Sequence, residues 1–363
     1  MPLTTMNIGI DVLKKNVILA LLILLHQLPG FSRVKDQDIN QEFKANIIIS
    51  IGLIWEGIEI LDHNIQSIVE FRRRHPDINL IQFLNPAYYT KKDGLVKIYN
   101  NKIHSTIYPD DIIGLHIHPW KNLVHAAGIE FRKEPTFWGY DLEDQYCKVD
   151  CGHEVPLSVY KKEEIRSLIS YSLKLFKENH INEPQIFMSG AWMGSPQILD
   201  TLMQNNIFYD ASAISPTIIK DKIKYFPLAD WLNNLWSNLK FPLQPQLYYT
   251  SHGLLKQMIH NGGPLDHRQN KEILSTFINL TNSRQASTEK NIFFHLDIYQ
   301  ETAWQHLPRL KNLISKIKSI CAKNKLSCRT KFELADIFPI NLNDLSHVIN
   351  WKNFGSDRNT PYF

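Results

Sequence analysis

The sequence predicts an α/β protein in which mostly parallel strands close into a barrel, and two observations lead to this class. Short apolar runs alternate with longer segments whose apolar residues recur at helical spacing, over roughly residues 46–325. This alternation is typical of a parallel sheet covered by helices. The chain has 363 residues, a length that one α/β barrel commonly occupies. We therefore expect a single barrel domain over residues 40–340.

The first part of the barrel has the clearest elements. The apolar run Asn46–Trp55 predicts a buried strand, and Leu61–Arg74 predicts a helix. Two more strands are predicted over Asn79–Leu84 and Asp111–His118. Residues 85–110 show no clear period, so we expect irregular structure between these two strands.

The remaining elements continue the alternation. A helix is predicted over Lys162–Asn179, a strand over Gln185–Met188 and a second helix that begins near Ser195. A late strand, Ile292–His295, is followed by a helix over Leu307–Asn324. Residues 126–156 are rich in charge, glycine and aromatic rings, which predicts an inserted active-site loop. Residues 341–363 are expected to form a C-terminal tail.

The N-terminus has the layout of an export signal. Lys14 and Lys15 precede the apolar run Val17–Leu25, and the turn-forming pair Pro29 and Gly30 follows it. The run is shorter than the roughly 20 residues that a membrane-spanning helix requires. We predict that residues 1–32 are a signal peptide or short anchor and that no stable membrane domain follows. The protein is then exported to a periplasmic, cell-envelope or extracellular location.

Charge and cysteine content narrow the function further. The formal net charge is +4, but the basic residues are scattered among acids and form no basic stripe, which argues against nucleic acid as a partner. The four cysteines form two close pairs, Cys147 with Cys151 and Cys321 with Cys328. Either pair could close a disulfide in an oxidising compartment or remain as free buried thiols. Their spacing does not suit a structural zinc site.

Two histidines are the first candidates for a metal site. His116 and His118 end a predicted strand and are separated by one residue, so their side chains project to the same face. Neutral imidazole is a good zinc ligand, and an open zinc site usually has three protein ligands and a water molecule. The alternative is a pair of structural histidines held by hydrogen bonds. The expected cofactor is a divalent ion, with zinc as the first choice.

Other polar residues could complete such a site. Glu56 follows the first strand, so in a parallel barrel it lies on the same rim, as a ligand or as a general base. In the inserted loop, His153 is a candidate third ligand and Asp150 a candidate partner that orients a ligand. His295 ends the late strand and could act as a general acid. The alternatives are an ordinary polar loop and a structural histidine.

Two tryptophans could bind substrate. Trp120 and Trp192 lie next to these segments, and an aromatic face beside a polar rim suits a sugar ring. Tryptophan is also a large core residue, and the sequence leaves both interpretations open.

Three segments together resemble a known family. Ile48–Gly57, Ile113–Trp120 and Ile186–Ala213 are similar to the polysaccharide deacetylases, also called the NodB-homology family or carbohydrate esterase family four. The similarity extends over roughly residues 46–325. It implies a distorted (β/α) barrel of the polysaccharide deacetylase type and metal-dependent removal of acetyl groups from a glycan.

The chain departs from that family at several positions, which places it in a divergent branch. The family commonly has an Asp-Asp pair at the end of the first strand, whereas this chain has Gly52, Leu53 and Ile54, and its nearest carboxylate is Glu56. The family's metal-binding histidines are usually farther apart than His116 and His118. Met188 or Ser189 stands where the family commonly has an arginine.

The resemblance and the candidate residues predict one function. The protein is expected to be a metal-dependent deacetylase that hydrolyses carbon–nitrogen bonds other than peptide bonds in N-acetylated amino sugars. Its substrate would be a cell-envelope or extracellular polysaccharide. In this prediction the metal ligands are His116, His118 and His153, while Glu56 is the base and His295 protonates the departing amine.

Two rivals accompany this prediction. One is a catalytically degenerate barrel that binds glycan without hydrolysis, which the missing Asp-Asp pair favours. The other is the amidohydrolase barrel, which also has two alternate histidines at a strand end. In that fold the pair belongs to the first strand, whereas at least two predicted strands precede His116, which argues against it.

Overall fold

The structure, a computed structural model, describes residues 45–140, 142, 147, 150–237, 239, 244–283, 291–337 and 348–350. These residues belong to one compact unit that spans Phe43–Phe363. The predicted leader, residues 1–32, and most of the predicted tail, residues 341–363, lie outside the described residues.

The strands of the described residues form one sheet. Their bounds are β1 Asn46–Ile54, β2 Ile81–Leu84, β3 Ile112–Ile117, β4 Ile186–Ser189, β5 Tyr209–Ile214, β6 Gln246–Thr250, β7 Gly253–His260, β8 Gly263–Pro264, β9 Asn291–Tyr299, β10 Ser327–Arg329 and β11 Val348–Asn350. Along the sheet they follow the order β11-β6-β7-β5-β4-β3-β2-β1-β9-β8, and β10 pairs with the start of β1. β6 is antiparallel to β7, and the other paired strands are parallel.

The sheet curls, and a link after β7 connects it back to β9. β7 pairs with β5, and after a short link β8 pairs with β9, which itself pairs with β1. Backbone hydrogen bonds from Gly262 to His295 and from Leu265 to Asp297, both 2.9 Å long, join this link to β9. The strand path β1 to β5, then β7 and β8, then β9 therefore returns to β1. This confirms the predicted distorted (β/α) barrel.

Helices cover the outside of the barrel. Their bounds are α1 Asp62–Arg74, α2 Asp93–Thr106, α3 Lys121–Ala126, α4 Lys162–Glu178, α5 Pro196–Gln204, α6 Pro216–Ile223, α7 Pro227–Trp236, α8 Asn270–Thr281, α9 Ala303–Lys323 and α10 Leu334–Ile337. Proline occupies the first turn of α5, α6 and α7, where its missing N–H costs no hydrogen bond. No helix among the described residues combines the length and apolar character needed to cross a membrane.

The burial of β1 on both faces explains why its sequence is a nearly continuous apolar run. All of its residues after Asn46 are buried, because one face packs under the helices and the other faces the barrel interior. Ile47, Ile49, Ile51 and Leu53 belong to the large core under the helices, whereas Ile48 and Ile54 belong to the smaller core inside the barrel. The residues between these two, Ser50 and Gly52, therefore also face inward.

One expectation about the elements is wrong. Residues 85–110 were expected to be irregular, but Asp93–Thr106 forms α2. Tyr99 and Ile103, four residues apart, are its buried contacts, while Leu95 and Ile98 are exposed. Apolar residues on the solvent face therefore obscured the helical period of the buried face.

Both cysteine pairs form disulfides in the structure. Cys147 is bonded to Cys151 beside the loop that precedes α4, and Cys321 of α9 is bonded to Cys328 of β10. The described residues of 127–156 form neither helix nor strand. The first disulfide thus lies among described residues that form neither helix nor strand.

Candidate metal centre

Glu56, His116 and His118 converge at one point on the barrel. Their side-chain ligand atoms all lie within 4.8 Å of one another. Nε2 of His118 is 2.7 Å from Oε2 of Glu56, and Nε2 of His116 is 3.7 Å from Oε1 of Glu56. The predicted convergence of a carboxylate and two imidazoles on one rim is therefore present, and the three residues form what we call the Glu-His-His cluster.

Strand register explains this convergence. β1, β2 and β3 are parallel neighbours, with Ile54 paired to Phe83 and Phe83 paired to Gly114. The residues that follow, Glu56 after β1 and His116 on β3, therefore come level at the carboxyl ends of the strands. His118 lies on the same side as His116 because strand side chains alternate.

Backbone carbonyl groups fix the orientation of both rings. Nδ1 of His116 donates to the Met188 carbonyl at 3.0 Å, and Nδ1 of His118 donates to the His153 carbonyl. A carbonyl oxygen only accepts, so each ring carries its proton on Nδ1 and turns Nε2 toward Glu56. This is the arrangement by which proteins orient histidines that bind metal.

Glu56 is held by its backbone. Its N–H donates to Oε1 of Glu301 at 3.2 Å. Its carbonyl accepts from the Trp120 indole at 2.9 Å and from the Asn85 amide at 3.0 Å. Three side chains from different elements therefore fix the residue that carries the carboxylate.

A glycine directly after β4 lets the His118 ring approach. The ring of His118 lies so close to Gly190 that an added Cβ would come within 2.6 Å of it. Two residues in the left-handed region, Ala191 and Trp192, follow directly, with φ angles of 50° and 59°. Such conformations are costly for residues other than glycine and cluster at functional sites.

Burial and their mutual interactions shift the pKa values of all three residues of the Glu-His-His cluster. Burial raises the pKa of Glu56, but His118 and His116 outweigh it and hold the pKa well below its ordinary value. Burial opposes a charge on His118, yet the Glu56 carboxylate raises the pKa of that ring. Burial lowers the pKa of His116 despite the opposing effect of Glu56. The carboxylate is thus ionised, and His116 is a neutral ring.

The residues fit a divalent ion. Nε2 of His116 is buried and has no hydrogen-bond partner, which is costly for a polar atom unless something binds it. A carboxylate with two imidazole nitrogens is a zinc-type donor set, and three protein ligands leave a position open for water or substrate. An ion at this point would bind the unpartnered nitrogen and use the lone pairs that the two carbonyls have oriented.

The ring of His153 lies apart from the cluster, although its backbone contributes. The ring stacks on Trp120 with centroids 5.0 Å apart, and its Nδ1 is 3.0 Å from Oε2 of Glu154. Its carbonyl accepts the hydrogen bond from His118. His153 therefore supports a candidate ligand through its main chain.

Asp150 holds the inserted loop against the barrel. Its carboxylate is 2.9 Å from Nζ of Lys91 and accepts from the backbone N–H of Asn122 in the first turn of α3. Lys91 in turn lies over the ring of Trp120. Asp150 could therefore orient a metal ligand only indirectly, through this loop, and that role stays a prediction.

His295 lies deeper in the barrel, in a second cluster. Its Nε2 is 2.7 Å from Oδ1 of Asp297, its Nδ1 is 2.9 Å from the Ser50 hydroxyl, and its ring is fully buried. Nδ1 of His260 contacts the other oxygen of Asp297, and Nε2 of His260 contacts the Ala211 carbonyl. Both contacts of His260 are acceptors, so this ring is a cation paired with Asp297. His295 has no free ring nitrogen, and its predicted role as general acid stays a prediction.

The two tryptophans are largely buried. Trp120 is 5% exposed and lies between Lys91 and His153, with its indole N–H on Glu56. Trp192 is 6% exposed, and its indole nitrogen has no hydrogen-bond partner. A sugar-binding role remains a prediction for both, and the structure gives Trp120 a part in holding Glu56.

Sequence reasoning missed Glu301. It follows β9 as Glu56 follows the neighbouring β1, and its carboxylate accepts from the Tyr88 hydroxyl at 3.1 Å as well as from the Glu56 N–H. Burial, and next the charge of Glu56, raises the pKa of Glu301 to about 8. The predicted late strand ended at His295, whereas β9 continues to Tyr299, so the position of Glu301 just after a strand end was not visible in the prediction.

No family model matches the sequence, and no curated protein matches it either. Several solved structures are similar. A Mycobacterium smegmatis protein assigned as a polysaccharide deacetylase is 9% identical, with a TM-score of 0.46 over 78% of this chain and 87% of its own. A family 4 carbohydrate esterase from Streptomyces lividans, determined in complex with acetate, is 7% identical, with a TM-score of 0.38 over 78% of this chain and 92% of its own.

A family 4 pseudoenzyme from Bacillus anthracis is also similar, with 8% identity and a TM-score of 0.38 over 82% of this chain and 66% of its own. The polysaccharide deacetylases that the sequence segments resemble are thus among the proteins of similar structure. The similarity concerns the fold alone, and the chemistry has to be argued from the side chains of this chain.

Proposed function

We propose that the protein is a metal-dependent hydrolase that removes acetyl groups from N-acetylated amino sugars of a cell-envelope or extracellular polysaccharide. The observation that carries the proposal is the Glu-His-His cluster, whose oriented imidazoles and unpartnered nitrogen suit a divalent ion. The choice of an acetylated amino sugar comes from the sequence segments that resemble the deacetylases.

In this proposal Glu56, His116 and His118 hold the ion. Glu56 is placed among the ligands, and not as a separate base, because its two carboxylate oxygens face the two imidazoles. A bound divalent ion supplies a Lewis acid that polarises a carbonyl oxygen and makes water more acidic. The carbonyls of Met188 and His153 keep both rings in the tautomer that binds.

Zinc and export belong to the proposal as well. Two nitrogen ligands and one carboxylate are a common set for catalytic zinc. The two disulfides support export, because disulfides persist mainly in oxidising compartments. A periplasmic, envelope or extracellular location is also where an acetylated envelope polymer would be met.

The test combines metal analysis with an assay for released acetate. The wild-type protein should carry about one zinc-type ion per chain and release acetate from acetylated chitin oligomers or peptidoglycan. His116→Ala and His118→Ala should each lose both properties. His125→Ala, which changes an exposed histidine on α3, is the control and should keep both. Wild-type protein without bound metal, or histidine variants that behave like the wild type, would refute the proposal.

A second candidate function is glycan binding without hydrolysis, and β1 favours it. At Gly52, near the usual place of the family's carboxylate pair, the space is filled by the Asp297 carboxylate and the Phe83 ring. The barrel thus has no room there for a second acidic side chain. Metal-loaded wild-type protein that binds chitin oligomers yet releases no acetate would favour this candidate.

A further inference from the structure

We infer that His267 is the proton-transfer residue of the proposed reaction, taking a proton from the attacking water and returning it to the departing amine nitrogen. The inference rests on the proposed function and assigns it a catalytic residue that the sequence did not single out.

His267 lies on the same rim as the Glu-His-His cluster. β8 and β9 are parallel, with Pro264 paired to Asp297, so His267 comes level with the end of β9. Ile54 of β1 is paired with Tyr299 at that same end, shortly before Glu56. The ring of His267 lies 5.9 Å from the Tyr299 ring and 6.3 Å from the Trp192 ring. Tyr299 at the end of β9 and Trp192 shortly after β4 therefore lie beside it at the carboxyl end of the barrel.

The ring nitrogens of His267 are available. Within the described part of the chain, no hydrogen bond or ion pair engages them, and the residue is only partly buried. Other described histidines nearby are engaged. His260 and His295 bind Asp297, His153 contacts Glu154, and His116 and His118 hold the ion in the proposed function. Among the described residues, His267 is therefore a ring on this rim that can exchange a proton with a bound molecule.

A cavity opens directly beside this ring. Its volume is about 770 Å³, which lies within the range of small-molecule sites, and its wall includes His267, Lys222, Arg268 and Arg309. The guanidinium of Arg268 is bonded to the Gly262 carbonyl, and that of Arg309 to the Leu265 carbonyl. These bonds keep a polar wall in place, and a polar wall suits the hydroxyl groups of a sugar.

Burial lowers the pKa of His267 and so favours the neutral ring, which can accept a proton. Burial, the largest effect, lowers its pKa; Asp266 and Glu56 act to raise it, and Lys222 and His306 act to lower it. Asp266 and Glu56 follow β8 and β1, while Lys222 lies on α6 and His306 on α9. A neutral ring can serve as base first and as acid afterwards.

The step balances with water as the only co-reactant. The oxygen of water forms a bond to the amide carbon, and one water proton moves to the free nitrogen of His267. The carbon–nitrogen bond then breaks, and the amide nitrogen takes that proton and departs as the amine. The second water proton stays on the acetic acid and passes to the amine or to solvent, so acetate is released, and His267 ends as it began. One residue thereby supplies the base that Glu56 cannot supply while it binds the ion.

The test uses His267→Gln and His267→Ala in the metal-loaded protein, with acetate release from chitin oligomers as the assay. We expect kcat to fall by about 10²- to 10⁴-fold, with metal content unchanged and KM little altered. Added imidazole should restore part of the activity of His267→Ala. His125→Gln, on the exposed face of α3, is the control and should keep wild-type kcat.

A second readout does not depend on turnover. In side-chain NMR of the zinc-loaded protein, the His267 ring, identified by its loss in His267→Gln, should titrate with pH and shift when N,N′-diacetylchitobiose is added. Active wild-type protein with a fully active His267 variant overturns this inference alone. So does an unresponsive ring, or loss of metal in the variants. Wild-type protein that releases no acetate overturns the proposed function and this inference together.

Discussion

At the residue scale, the candidate site depends on atoms that do not touch the metal position. The carbonyls of Met188 and His153 set the tautomers of the two histidines, and Glu301 holds the backbone of Glu56. The sequence could identify Glu56, His116 and His118, because each lies at or just after a strand end. It could not exclude His153 as a ligand, because the direction of its ring depends on loop packing. The raised pKa of Glu301 could not be predicted either, because it comes from burial and from the nearby charge of Glu56, and both depend on the folded structure.

The raised pKa of Glu301 predicts how the stability of the metal-free protein depends on pH. The pKa is about 8 in the folded chain against an ordinary 4.5, so between these values the folded state keeps a proton that the unfolded state loses. This group therefore makes the free energy of unfolding fall as pH rises through that window. Urea denaturation with a chelator, between pH of about 5 and about 8, should detect the fall. Glu301→Gln, which keeps the acceptor oxygen, should reduce it and be more stable than the wild type at the upper end.

Glu59→Gln is the matched control for this prediction, because Glu59 is exposed near the end of β1. It should leave the pH dependence unchanged. An unaltered slope in Glu301→Gln would mean that Glu301 is ionised in the folded protein.

At the element scale, β1 carries most of the constraints. Its outer face packs under the helices, its inner face lines the barrel, and its end delivers Glu56. Such a strand can be predicted from the sequence, because burial on both faces requires a continuous run of apolar residues. The sequence did not predict α2, because the exposed apolar residues Leu95 and Ile98 obscure the helical spacing of its buried residues. The position of the link from β7 to β8 could not be predicted either, because the link pairs with β9, whose residues are distant in the sequence.

Gly52 on β1 yields a prediction about packing. A Cβ at this position would overlap the Asp297 carboxylate and press on the Phe83 ring. Gly52→Ala should therefore lower the free energy of unfolding by about 1–3 kcal/mol, as overpacking typically does. Gly94→Ala is the control, since a Cβ there meets nothing within 4 Å, and it should stabilise α2 by about 0.5–1 kcal/mol. Equal effects in urea denaturation would contradict this account of the β1 interior.

At the scale of the whole molecule, the candidate site residues lie at one end of the barrel. The Glu-His-His cluster, Glu301 and His267 all lie at the carboxyl ends of strands, as is general for parallel barrels. At the opposite end, Ser327 of β10 pairs with Asn46 at the start of β1. The sequence could predict at which end the site lies, because this follows from parallel strands, but not which loop side chains meet.

The two disulfides should contribute differently, one to stability alone and the other to metal binding. Loss of Cys321–Cys328 by substitution with serine should lower the free energy of unfolding by about 2–3 kcal/mol and leave metal affinity unchanged, because this bond lies beside β10. Loss of Cys147–Cys151 should weaken metal binding, because Cys151 adjoins Asp150 and the loop that presents the His153 carbonyl to His118. Metal titration and urea denaturation of both double variants test this contrast. Equal metal affinities in the two variants would contradict it.

The measurement that tests the central claim most directly is anomalous X-ray scattering from crystals of the zinc-loaded protein. The account predicts one strong peak at about 2.0–2.2 Å from a carboxylate oxygen of Glu56 and from Nε2 of both His116 and His118. Absence of a peak there, or a peak only at the cluster of His260, His295 and Asp297, would contradict it.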